Sequence, residues 1–85
     1  MDESKEAILT ALGQLIREKR QHVGISQEEL AARSGLDRTY ISGVERGVRN
    51  PSLTALLKIA NGLQISLAKL LNGLEAHLSG GERNG

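Results

Sequence analysis

Four arginines crowd the segment from residue 33 to residue 50 (Arg33, Arg38, Arg46 and Arg49), with only Asp37 and Glu45 as acids among them. A guanidinium carries its N–H donors in a flat fork, which matches a phosphate or the paired acceptors on the edge of a guanine. Between these cations stand the hydroxyls of Thr39 and Ser42, and Tyr40, the only aromatic residue in an 85-residue chain without Phe or Trp. Any one of these arginines is explained well enough as a solvated charge, and a lone tyrosine as a half-buried core residue. Taken together, the donors clustered around one ring describe a surface for a polyanion. Other chemistries do not assemble. The chain has no cysteine, which excludes disulfides and thiolate metal sites. His22 and His77 lie far apart with no acid or second histidine at ligand spacing. No Gly-rich phosphate loop precedes a helix, and no nucleophile, base and orienting acid come together. The expectation is no enzyme, no metal, no cofactor and no small-molecule ligand.

The elements that must position this cluster are read from periodicity and cap chemistry. At 39% hydrophobic residues the chain makes one domain near the lower size limit for an unstapled core, built from aliphatic residues, which a helical bundle satisfies. Ile8, Leu12, Leu15, Ile16 and Val23 follow a 3.6-residue period over a first helix of about residues 5 to 21, ended near Gly24. Ser26 with Glu29 forms a capping box, and Ile25 can staple Leu30. The same staple spacing recurs as Leu36 with Ile41 around a cap at Asp37, and as Ile65 with Leu70 around a cap at Ser66. After Pro51, Ser52 opens the apolar series Leu53, Leu56, Leu57, Ile59, Ala60 and Leu63. Five helices result. The acidic start "MDESKEAILT" lacks the pattern of a signal peptide and no apolar run is long enough for a membrane span, so the expected location is the cytoplasm.

Between the second and third helices Gly35 supplies a left-handed residue and Asp37 already caps the next helix, so the two must cross steeply, as in a helix-turn-helix over about residues 27 to 46. Projecting the third helix at about 100° per residue puts Ile41 and Val44 toward the core. Thr39, Ser42, Gly43 and Arg46 fall on the outer side, flanked by Arg38 and Tyr40. That face, small at Gly43 and positive at Arg38 and Arg46, suits a phosphate-lined groove. Net charge is only +1, so a nucleic-acid partner would be met by this local patch rather than by a global field.

The stretch "ISQEELAARSGLDRTYISGVERGVRNPSLTALLKIANGL" resembles the Cro and phage-repressor type (XRE-like) helix-turn-helix family, and "SGLDRTYISGVERGVRN" is especially similar to controller proteins of bacterial restriction-modification systems. The likeness runs from about Leu12 to Leu71. It implies an all-α, five-helix, lambda-repressor-like DNA-binding domain over residues 1–78, with 79–85 as a flexible tail; "EAHLSGGERNG" matches nothing in the pattern. By the resemblance, Arg38, Thr39 and Tyr40 match base-reading positions, and Gln27, Ser42, Arg46, Arg49 and Asn50 match positions that meet the DNA backbone. Arg20 and Glu45 match a structural ion pair between helix one and the recognition helix, and the projection places Glu45 at the edge of the buried face. Lys19 departs from the pattern, where members often carry an apolar residue.

The resulting expectation is a sequence-specific, dimeric DNA-binding regulator, with a restriction-modification operon preferred over a prophage-type or antitoxin-type repressor. A protein-interaction module that keeps the fold without binding DNA is the rival class. Two-fold pairing is expected through helix five and the end of helix four, at Ile65, Leu67 and Leu71, because apolar residues continue there, as far as Leu74 and Leu78, beyond what a small core needs. The partner would then be double-stranded DNA carrying an inverted repeat.

Overall fold

Serine hydroxyls set most of the helix starts. Ser4 accepts from the backbone N–H of Ala7, Ser26 from Glu29, Ser52 from Ala55 and Ser66 from Lys69, each at 3.0 Å. The structure is a computed structural model that describes residues 4–79. Among the described residues it contains α1 (Lys5–Val23), α2 (Gln27–Ser34), α3 (Arg38–Glu45), α4 (Leu53–Gly62), α5 (Leu67–Leu71) and α6 (Leu74–Ser79). Glu29 completes only half of a capping box, because its carboxylate takes the Nε–H of Arg33 at 3.0 Å. Asp37 occupies the N-cap position of α3 with extended backbone, but its side chain makes no cap bond. The start of α3 therefore rests on backbone geometry and on Leu36, which packs against the core.

The first five helices each send a fully buried side chain to the centre, Ile16, Leu30, Ile41, Ile59 and Leu70 at 0% exposure, and α3 adds a second in Val44 at 1%. Burying one such aliphatic side chain stabilises by roughly 1.5–3 kcal/mol, so these carry much of the fold. α1 lies against α3, α5 and α6, α2 against α3 and α4, and α4 against α5. The contact of α1 with the end of α3 is backbone on backbone: a Cβ at Gly13 would overlap the carbonyl oxygens of Val44 and Glu45. Gly35, with φ 70°, turns the chain between α2 and α3 while Leu36 N–H donates to the Ala31 carbonyl at 3.0 Å.

Two expectations need correcting. The segment after Asn72-Gly73, expected as tail from Glu75, forms α6 as far as Ser79; residues 80–85 lie outside the described residues. Gly73, at φ 95°, redirects the chain so that Leu74 packs against the core and His77 comes 3.7 Å from Glu18 of α1. In the apolar series of α1 and α4, Val23, Leu53 and Leu57 stand 43%, 64% and 50% exposed. On α4 and its C-cap the packed side is that of Leu56, Ile59, Ala60 and Leu63, and Leu53 with Leu57, four residues apart, forms a second stripe left largely exposed among the described residues. No helix among the described residues is long and apolar enough to cross a membrane.

Candidate nucleic-acid interface

α3 is held from behind by one carboxylate. Glu45, whose side chain is 1% exposed, receives Arg20 Nε at 2.6 Å on one oxygen. Its other oxygen receives Arg20 Nη2 and Gln27 Nε2, both at 3.0 Å. Arg20 also donates through Nη1 to the Ile25 carbonyl at 2.9 Å. α1, the turn after it, α2 and α3 thus meet at one network in which the charges are paired and every nitrogen of the guanidinium donates, the condition under which a buried ion pair is tolerated. The hydrogen bond that Arg20 donates to Glu45 raises the Arg20 pKa above the ordinary arginine value, burial opposes it, and the nearby negative charge adds to the rise. A raised folded pKa means that the contribution of Arg20 to stability is complete at every pH below the ordinary arginine value and is lost only as pH rises through the folded one.

On the opposite side of α3, Arg38 and Thr39 are exposed and Tyr40 and Ser42 half-buried. Arg38 Nε lies 3.8 Å from a Glu28 oxygen, a solvent-facing pair of little energetic weight. Arg46, also exposed, donates from Nε to Ser42 Oγ at 3.3 Å. Asn50 is exposed beside buried Pro51. Gln27 serves the Glu45 network with its side-chain amide while standing in the first turn of α2, where backbone N–H groups are free of helical partners.

Gly43 does not lie on the open outer face where the projection puts it. It is buried beneath Arg49, whose Cγ would stand 2.5 Å from a Cβ at that position. The cause is nonlocal: residues 47–50 fold back, and the N–H groups of Val48 and Arg49 both donate to the Gly43 carbonyl, at 2.9 and 3.2 Å. The Arg49 guanidinium carbon then sits 5.4 Å from the centre of the Tyr40 ring. Ile65, Leu67 and Leu71 lie away from this surface, half-buried against the core. Leu53 and Leu57 are candidate contact residues that periodicity alone assigns to the core; their signal is their being two apolar turns too many for the face that α4 buries. No group of three or more His, Asp or Glu side chains among the described residues is placed to hold a metal.

The family model described as helix-turn-helix matches residues 16–70. The control protein C.MunI of Mycoplasma sp is 46% identical over 57 residues, 67% of this chain and 77% of that protein. The restriction-modification controller protein C.AhdI from Aeromonas hydrophila superposes with a TM-score of 0.72 at 53% identity, over 73% of this chain and 94% of that one. The controller C.Esp1396I, solved as a tetramer in complex with its natural 35 base-pair operator, superposes with a TM-score of 0.77 at 38% identity, over 84% and 93%.

Proposed function

The chain belongs to the helix-turn-helix family, and from that premise we propose that it is a sequence-specific DNA-binding transcriptional regulator, not an enzyme, that controls a restriction-modification operon from the cytoplasm as a homodimer on an inverted-repeat operator. The observation that carries this reading is the two-sidedness of α3: Ile41 and Val44 are buried in the core and Glu45 in its ion pair, leaving Arg38, Thr39 and, at the C-cap, Arg46 exposed where a groove would be met. The likeness to controller proteins, one of them solved on its operator, supports the choice of operon.

In the major groove the start of α3 would meet base edges. Arg38 has the reach and the forked donors for guanine O6 and N7, Thr39 a short hydroxyl, and Tyr40 a hydroxyl at the rim. Phosphates would be met by the first turn of α2 at Gln27, by Ser42 of α3 and Arg46 at its C-cap, and by Asn50 before α4. One such helix reads only a few base pairs, and a net charge of +1 gives a single copy little long-range attraction to DNA. A second copy supplies the missing contacts. The α5 end of the domain, with Ile65, Leu67 and Leu71, and the uncovered Leu53 and Leu57 of α4 are the apolar surfaces available for that pairing.

The test is a binding titration with duplexes that carry an inverted repeat, run at several salt concentrations. Affinity should fall steeply with salt through counterion release and depend on the repeat. Binding that is indifferent to salt, or to a protein partner and not to DNA, would replace this reading with the interaction-module one.

A further inference from the structure

We infer that Arg49 acts as a positioning residue for Tyr40, fixing the pose of that ring on the DNA-facing side of α3, and that Gly43 is the gap which lets it do so. The inference rests on the reading that α3 enters DNA. Both the main chain and the side chain of Arg49 are committed to α3. Its N–H donates to the Gly43 carbonyl at 3.2 Å, alongside that of Val48 at 2.9 Å. Its stem crosses the Cα of Gly43 so closely that a Cβ there would stand 2.5 Å from Cγ and 3.6 Å from Nε. Guided over this gap, the guanidinium comes to rest 5.4 Å from the centre of the Tyr40 ring, within the range at which a cation is attracted to an aromatic face.

A backbone phosphate clamp needs a cation that swings freely toward the strand, and this one starts from a ring. Tyr40, in turn, has a reason to be held. It is half-buried, and among the described residues its hydroxyl has no hydrogen-bond partner, so that polar group is unspent while the side chain packs against the core. Fixing such a ring before binding leaves less conformational freedom to lose on the DNA. Arg49 therefore contributes to discrimination through Tyr40, whereas the family resemblance alone puts it on the phosphates.

Two measurements test this. Tyr40 is the chain's only Phe, Tyr or Trp ring, and the two imidazoles belong to other helices, His22 to α1 and His77 to α6, so a ring-current shift at Arg49 in the free protein is assigned to Tyr40 by its loss on replacement. The Arg49 side-chain methylene protons should resonate upfield of their ordinary positions and return there in Tyr40→Leu; ordinary shifts in the parent would overturn the proposal. In DNA titrations, Arg49→Ala should weaken the preferred duplex about two- to fivefold, as loss of an exposed contact of this kind does, and leave the salt slope unchanged. It should add nothing once Tyr40→Ala is present, and Gly43→Ala, checked for helicity, should reproduce it. An equal loss on every duplex, additive with Tyr40→Ala and with a salt slope lower by about one, is the signature of a phosphate clamp and would refute the role. A parent that bound no duplex would sink the DNA reading and this role together, while absent shifts in a parent that binds specifically would sink this role alone.

Discussion

Arg38 and Arg46 bear the same charge at the two ends of α3, the first residue and the C-cap, yet they are expected to fail differently when removed. Arg38, at the start of α3, is exposed and loosely paired with Glu28 at 3.8 Å, so its fork is available for a base edge. Arg38→Ala should cost roughly 1–3 kcal/mol on the preferred duplex and flatten discrimination at one position. Arg46, leaning on Ser42 at the far end of α3, should on replacement by Ala weaken all duplexes alike and lower the salt slope by about one. Competition titrations at two salt concentrations separate the two, and a uniform loss for Arg38→Ala would make it a phosphate contact. Glu45→Ala acts on the fold instead. It strands Arg20 beside the Ile25 carbonyl and frees the Gln27 amide, and breaking a buried pair of this sort costs about 3–5 kcal/mol, visible as a large drop in the thermal midpoint. An unchanged melt would mean that the network is ornamental. The side chains that project from α3 were legible in the sequence, since one helical projection sorts Ile41 and Val44 inward and Thr39 and Arg46 outward. Gly43 was misplaced because its neighbour, Arg49, arrives through the fold-back of residues 47–50, which no period on α3 encodes.

Helix starts were the most readable elements, because a serine before an apolar run states its own hydrogen bond. Ser26, Ser52 and Ser66 make that bond, and Asp37 marks the right residue without making it. The contrast is measurable: Ser52→Ala or Ser66→Ala should cost about 1 kcal/mol, and Asp37→Ala only a few tenths, by chemical denaturation. A comparable loss at Asp37 would show that its carboxylate caps α3 in solution. Less readable was how each helix divides its apolar residues between neighbours and solvent. Leu53, Leu56 and Leu57 look alike in a helical series, and only the placement of α2 and α5 decides that Leu56 is covered while the other two are not. Gly13 was silent in the sequence for a related reason, since its partner is the backbone at the end of α3. Gly13→Ala would raise helix propensity in isolation, yet here it should destabilise by roughly 1–3 kcal/mol or more, because the added carbon meets the carbonyls of Val44 and Glu45. A melt at or above the parent's would show that α1 yields without loss.

For the molecule as a whole, the apolar stripe of α4 sets the expected assembly. Leu57→Glu places a charge where half the side chain is already in water, so the monomer's stability should stay within about 0.5 kcal/mol of the parent. Sedimentation at micromolar concentration should nevertheless shift from dimer to monomer, and footprinting should contract from two sites about 34–36 Å apart to weak single-site protection. A dimer that survives Leu57→Glu would move the two-fold contact to Leu67 and Leu71. The fully buried centre contributed by α1 to α5 is aliphatic throughout, and the one Phe, Tyr or Trp ring of the protein lies on α3 outside it. Near-ultraviolet absorbance and tyrosine emission consequently come from Tyr40 alone, while far-ultraviolet dichroism comes from the helices. Without any label, the two optical channels report the surroundings of the Tyr40 ring and the integrity of the bundle separately, in the same cuvette.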